Sequence, residues 1–384
     1  MNILYLGYWS VSDGLSESTI RPHLEVLDAI PEVDKIVYVS IERTLESVTC
    51  PWSIATMDFV PYYSPPKLLL RDKIADFTKL PNLLVKLCEE RSIDKIICRS
   101  SLAGAIGYLV WKRVKTPYFV ESFEPHADYM LESGVWKKWD IRYRLQKFFE
   151  KRQKETASAI MPVSNNYKMH LMEKEQVKCP MDVVPCSVDL EKFQFDKAKR
   201  TEIRRQFGIP NEATVGIYVG KFGGIYYEEE AYRFFKNCND QINDFHLLIL
   251  TTEPNDKIIN GLQAASFPIE RCQVAKVAHH EVAAYLSATD FAFNFHRKTK
   301  WSFALSPIKN GEYWANGLPI VIADGIGDDS VIIKTNKQGG LVVDFENELT
   351  TRILQGQIDQ NAMDRIGNEC VILAGKYRNP MVVR

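Results

Sequence analysis

The segment Ser306-Pro307-Ile308-Lys309-Asn310-Gly311-Glu312-Tyr313-Trp314-Ala315-Asn316-Gly317-Leu318-Pro319-Ile320-Val321-Ile322-Ala323 reads as one short helix followed by one buried strand. Ser306 is a favourable N-cap, and Pro307 suits the first helical position, where a missing N–H costs nothing. Gly317 closes the helix and Pro319 blocks its continuation. The run 320–323 is apolar throughout, as a parallel strand covered on both faces should be. Lys309 and Glu312 lie three apart and so share a face near the helix start. That start carries N–H groups and the positive end of the dipole, which favour a phosphate. Ile308 and Lys309 offer backbone N–H groups there, whereas Pro307 has none. Lys309 adds charge, and Glu312, one turn deeper, offers acceptor oxygens to a sugar diol. A helix of this design suits a nucleoside diphosphate.

Outward from this segment, short β-rich runs recur between helix-like stretches. They fall at 3–7, 35–40, 95–100, 118–121 and 159–163, then at 215–220, 246–251, 291–295, 319–323 and 341–344. Most are near-continuous Val, Ile, Leu, Phe and Tyr, separated by amphipathic segments such as 23–30, 79–90 and 228–235. The alternation predicts an α/β fold of two Rossmann-like, doubly wound domains. The expected organisation is an N-terminal domain over 1–190, a C-terminal domain over 191–365, and a terminal segment, 366–384, returning to the first domain. Strand signals vanish and charge rises between Cys186 and Phe207, which places the boundary there. Ligands of such sheets bind outside the carboxyl ends of the strands, so the substrate is expected in an interdomain cleft.

With 384 residues, 46% apolar and 25% charged, the chain has the composition of an ordinary globular protein with room for two cores. A net charge of −1 gives no argument for nucleic acid as a partner. No apolar run reaches the length of a membrane span, and Met1-Asn2-Ile3-Leu4 opens into a strand-like segment, so a cytoplasmic location is expected. The eight cysteines include no C-x-x-C pair, which fits reduced thiols in that compartment and predicts no structural zinc.

Four stretches carry a resemblance. Val183-Val184-Pro185-Cys186-Ser187-Val188-Asp189-Leu190-Glu191-Lys192-Phe193 is similar to an interdomain signature V-P-N-G-V-D-x-x-x-F, with Cys-Ser in place of Asn-Gly. Ile217-Tyr218-Val219-Gly220-Lys221 resembles a strand whose glycine precedes a basic residue facing a diphosphate. The stretch 276–290 is similar to x-V-x-x-x-E-L-x-x-Y-x-x-A-D through Val277, Glu281, Tyr285 and Ala288, with Val282 in place of Leu and Asp290 one residue beyond the pattern's aspartate. Residues 306–319 match S-P-x-K-x-x-E-Y-x-A-x-G-x-P. In this order and spacing they resemble the GT-B glycosyltransferases, specifically the retaining enzymes of glycosyltransferase family 4, along essentially the whole chain.

The resemblance implies transfer of a sugar from a nucleotide-diphosphate donor, UDP- or GDP-linked, to an acceptor hydroxyl with retention, by a hexosyltransferase-type enzyme. It points to cell-surface polysaccharide or glycolipid assembly on a saccharide or lipid-linked acceptor. Lys221 and Lys309 would neutralise the departing diphosphate, and Glu312 would hold a ribose or sugar hydroxyl. Ser306, Ile308 and the backbone near Val277 complete the expected donor contacts. Gly14, in the loop after the first strand, would allow close approach of a diphosphate or an acceptor, although a plain turn explains it equally. After the fourth strand the family places a histidine on the donor sugar; His126, with Glu124, is the candidate. Ser164 is a ligand contact or simply a helix cap. No Asp-x-Asp motif calls for a metal, and no G-x-G-x-x-G motif calls for a permanently bound nicotinamide cofactor.

Two departures stand out. Many members carry two glutamates; here the first position is Ala304 and only Glu312 remains. A second basic residue commonly follows the Gly-Lys position by six; here it is Tyr227, with Lys309, Lys298 and Lys300 as substitutes. They keep open a non-catalytic nucleotide-sugar binder, beside a sugar-nucleotide epimerase of the same fold. Finally, Trp136 to Lys154 interleaves aromatics with Lys and Arg, and as a basic amphipathic helix it suits an anionic membrane surface, making the protein peripheral at the inner face of the membrane.

Overall fold

The computed structural model describes residues 1–44, 46–64, 70–345 and 368–380. The chain forms two compact units, the first spanning Met1–Ser187 and the second beginning at Val188. The break therefore falls within the Val183–Phe193 stretch.

The first unit holds β1 (Asn2–Leu6), β2 (Lys35–Glu42), β3 (Met57–Tyr63), β4 (Lys95–Arg99), β5 (Tyr118–Ser122) and β6 (Ala159–Pro162). They form one sheet in the order β3-β2-β1-β4-β5-β6, parallel throughout. The second unit repeats the plan with β7 (Thr214–Val219), β8 (Phe245–Leu250), β9 (Cys272–Ala275), β10 (Phe291–Asn294), β11 (Ile320–Ala323) and β12 (Gly340–Val343). Its order, β12-β11-β10-β7-β8-β9, is the same doubly wound arrangement read from the other edge, again parallel. In each sheet the chain reverses winding between two central strands, β1 and β4 in the first, β7 and β10 in the second.

Burial explains why the central strands read so plainly. Every residue of β10 and β11 is buried, because helices cover both faces. Two edge strands, β3 and β9, were not foreseen. β3 is only half-buried and contains Pro61, which an edge strand tolerates because the lost donor faces away from the ladder. β9 is four residues long with one buried position. Of the 366–384 segment, the described part forms the helix Glu369–Tyr377, whose Cys370, Leu373 and Ala374 join the core of the second unit. The remainder of that segment, and the expected domain end at 365, lie outside the described residues.

Asp290, the last residue of the 276–290 stretch, is a structural latch. Its carboxylate accepts from Arg200 at 2.7 Å, from Arg204 at 2.8 Å and from the Val215 N–H at 2.8 Å. Arg204 also donates to four backbone carbonyls, of Ala288, Pro210, Asn211 and Ala213, and its side chain is 1% exposed. The pair fastens the helix Lys197–Gln206 to the start of β7. Asp290→Ala strands a buried guanidinium and should cost about 3 kcal/mol of stability. Urea unfolding checks this, and an unchanged midpoint would show that the latch is dispensable.

Candidate functional site

The helix of the 306–319 segment runs Ile308–Ala315, one residue later than expected. Pro307, not Ser306, holds the N-cap position, and it makes no side-chain cap. The Ser306 hydroxyl instead accepts from Arg378, a residue that only the fold brings near. The far end closes as expected. Gly317, at φ +78°, donates to the Trp314 carbonyl at 2.9 Å, and Leu318 donates to Tyr313 at 2.9 Å. This double bond pattern turns the chain directly into β11.

At the helix start, Lys309 reaches across to the end of β7. A Cβ on Gly220 would lie 2.8 Å from the Lys309 Nζ, so only glycine lets the ammonium approach this closely. The Lys309 Nζ also lies 5.7 Å from the centre of the Tyr226 ring. Among the described residues it has no carboxylate within ion-pair distance. Burial lowers its pKa from the ordinary lysine value to about 8; the Glu312 charge opposes the shift and the Lys221 charge reinforces it. Lys221 follows Gly220 and is exposed, beside a turn in which Gly223 and Gly224 both have positive φ. Two cations thus converge on the carboxyl ends of β7 and β10, the switch point where ligands of such sheets bind.

His296, two residues beyond β10, completes this pole. Its ring packs on Tyr226 with centroids 4.6 Å apart. Burial, with Lys309 adding to it, drops its pKa to about 3, so the ring is neutral. Asn294 Nδ2 donates to Asn310 Oδ1 at 2.7 Å, which leaves Asn294 Oδ1 to accept from His296 Nδ1 at 2.8 Å. His296 Nε2 is then an acceptor next to Lys309. The chain continues inward: Asn310 Nδ2 donates to Asp329 at 2.7 Å, and Arg378 donates to both Asp329 oxygens. A buried polar relay therefore runs from the terminal helix to the rim of the site.

Glu312 does not face solvent. It is 4% exposed, and its Oε1 lies 2.9 Å from His279 Nε2. With a carboxylate as partner, the ring donates through Nε2 to Glu312 Oε1. His279 sits in the short turn after β9, two residues beyond Val277, and its Nδ1 is buried without a partner. Sequence reading missed both histidines. His279 is distant in sequence from Glu312, and nothing in its local pattern marks it.

The remaining candidates are dispersed. Gly14, Glu124, His126 and Ser164 belong to the first unit; Lys221, Val277, Ser306, Ile308, Lys309 and Glu312 belong to the second. Gly14 is exposed with open space around its Cα, so no close approach within the chain requires it. His126 Nδ1 meets Glu124 Oε1 at 2.7 Å. Burial opposes its protonation, but the hydrogen bond and charge of Glu124, with Glu150 adding, hold its pKa above the ordinary histidine value. Ser164 caps the helix Asn165–Glu173 by accepting from the Tyr167 N–H at 3.2 Å. Ala304 is 0% and Tyr227 2% exposed, so both departures from the family pattern are core positions. The Arg297 guanidinium lies 4.8 Å over the Tyr227 ring, which restores a cation beside that position. Lys300 instead covers Trp301.

No protein-family profile and no curated protein sequence matches this chain significantly. Solved structures do match along its length. Sucrose-phosphate synthase (tll1590) from Thermosynechococcus elongatus aligns with 15% identity and a TM-score of 0.76, covering 100% of this chain and 96% of that one. Anabaena Alr3699/HepE in complex with UDP-glucose aligns with 12% identity and a TM-score of 0.68, covering 100% and 97%. The lipopolysaccharide outer core galactosyltransferase WaaB aligns with 12% identity and a TM-score of 0.63, covering 98% and 94%. The likeness is one of fold: two Rossmann-like units in the GT-B architecture.

Lys309 carries a prediction of its own. Its folded-state pKa lies below that of free lysine, so above pH 8 the empty site sheds a proton that a bound anion would retain. Pyrophosphate affinity, measured by calorimetry, should be greatest below pH 8 and fall by up to about tenfold per unit above it. Lys309→Met should bind roughly tenfold more weakly and lose that slope. A slope that persists in the variant would assign it to another group.

Proposed function

We propose that this chain is a glycosyltransferase moving a sugar from a nucleoside-diphosphate donor to an acceptor hydroxyl. The observation that carries the reading is the pairing, on one helix, of Lys309 at the β7/β10 switch point with a buried Glu312 held by His279. A departing diphosphate develops negative charge as the anomeric bond breaks, and cations fixed beforehand at that place stabilise it. Lys309 and Lys221 fill this role, with the Ile308 and Lys309 N–H groups at the helix start. Glu312 Oε2 accepts from a ribose hydroxyl while His279 holds Oε1. The backbone at Val277, two residues before His279, serves the base. Ser306 acts through Arg378, fixing the loop that enters the helix. In the first unit, His126, oriented by Glu124, serves the donor sugar, and Gly14 leaves room for a ligand beside the loop after β1.

The donor is a UDP-sugar, with GDP-sugar the alternative; HepE is solved with UDP-glucose, which supports the first choice. The enzyme is a hexosyltransferase of the family 4 type, acting with retention through same-face attack. Its acceptor is a saccharide or lipid-linked glycan of a surface polysaccharide or glycolipid pathway, reached from the cytoplasm. Charge is supplied by lysines, so the proposal needs no metal. One further reading has its own support. Because positions 227 and 304 are core, a non-catalytic nucleotide-sugar binder would arise from the same scaffold without loss of stability.

Thermal stabilisation by UDP, GDP, ADP and CMP tests the donor. One diphosphate should raise the melting temperature, and Glu312→Ala should weaken its binding by roughly 1.5–3 kcal/mol. No shift with any nucleotide would sink the proposal. Proton NMR of the product's anomeric centre then tests retention. Donor binding with neither hydrolysis nor transfer across an acceptor panel would favour the binder.

A further inference from the structure

The helix Ile141–Thr156 is inside out. Its buried residues are Gln146, Glu150 and Gln153, all polar. The interior of the first unit satisfies most of their groups. Gln146 Nε2 donates to Ser101 Oγ and to Glu150 Oε1, both at 3.1 Å. Gln153 Nε2 donates to the Ser101 carbonyl at 2.8 Å, and Glu150 Oε1 accepts from the Ala127 N–H at 2.9 Å. The opposite face carries Ile141, Leu145 and Phe148, which are 47%, 42% and 45% exposed. Their i, i+4, i+7 spacing makes them one continuous stripe. Just before the helix, Trp139 is 73% and Val135 57% exposed. An ordinary surface helix orients the other way, and an apolar patch of this kind marks a surface that meets a partner.

The charge around the stripe says which partner. Residues 136–154 hold eight Lys and Arg against Asp140 and Glu150. Arg142, Lys147, Lys151, Arg152 and Lys154 pair with Asp140, Asp128, Glu155 and Glu175, so among the described residues Lys137, Lys138 and Arg144 carry the uncompensated charge beside the stripe. Glu150 is buried, so it does not offset the outer face. Lys138 and Arg144 are exposed and have no ion-pair partner among the described residues. Lys137 lies over the Trp139 ring at 5.6 Å, and Arg152 over Phe148 at 5.2 Å. Long cationic side chains lying beside exposed aromatic tips match the headgroup boundary of a bilayer, where tips enter the acyl layer and cations meet phosphates. A second copy of this chain is disfavoured, because it would set this charge against itself.

We propose that the stripe of Ile141, Leu145 and Phe148, with Trp139, docks the protein on an anionic bilayer surface. Neither the fold contacts nor the donor chemistry requires these side chains outward. The inference therefore stands apart from the transfer reading: failure of either leaves the other intact.

The test is flotation of the full chain with vesicles of phosphatidylcholine alone, or containing roughly one-third phosphatidylglycerol. Binding should be at least about tenfold stronger to the anionic vesicles and fall with salt. Leu145→Ser with Phe148→Ser should reduce it at least about tenfold while the melting temperature holds or rises. Trp139→Ser lies outside the helix and gives the same test should the double variant unfold. Lys138→Ser with Arg144→Ser should weaken binding and flatten its salt dependence. Absence of binding, equal binding to both vesicles, stripe variants that bind as wild type, or a soluble oligomer that hides Trp139 would each overturn the proposal.

Discussion

The second unit depends on one buried ion pair, between Arg378 and Asp329. Both side chains are nearly inaccessible, at 3% and 1% exposure. A buried pair of this kind survives only if its remaining groups are also bonded. Here they are: Asp329 accepts from Asn310, and Arg378 donates to Ser306 and gives its carbonyl to the Val188 N–H at 2.8 Å. The pair thus fixes the terminal helix, the first residues of the second unit and the site helix relative to one another. Gly311 makes the fit possible, since a Cβ there would press on Val188 and Arg378 at 3.3–3.4 Å. From Asn310 the bonding passes through Asn294 to His296, so the orientation of the site's rim follows from a charge pair in the core.

Most of the fold was legible because burial on both faces forces continuous apolar strands. Phe291–Asn294 and Ile320–Ala323 have no exposed residue, and their sequences have no polar alternation to mislead. Two edge strands, β3 and β9, were missed for the converse reason. Met57–Tyr63 has one partner strand and half-buried faces, so a proline and an aspartate are tolerated and the pattern is lost. Helix spacing put Lys309 and Glu312 on one face of one short helix, but the burial of both side chains comes from the fold. As an N-cap Ser306 was misread, because Arg378, 72 residues away, takes its hydroxyl. His279 and His296 were invisible because each acquires meaning only from partners that the sheet brings together.

The same logic applies to charge. A lysine beside a helix start is usually a solvated side chain. Here glycine at 220 and the Tyr226 ring draw it inward, and the ammonium loses part of its affinity for protons. Such a cation is poised for an anion that repays the lost hydration. The two departures from the family pattern are packed positions: Tyr227 and Ala304 are buried, and Arg297 lies over the Tyr227 ring.

On this reading the β7/β10 switch point receives the diphosphate of a nucleotide donor. A crystal structure with UDP tests it most directly. A diphosphate oxygen is expected about 3 Å from Lys309 Nζ and a ribose hydroxyl on Glu312 Oε2, with His279 still holding Oε1. UDP bound away from the start of the helix Ile308–Ala315, or a ribose that ignores Glu312, would contradict it.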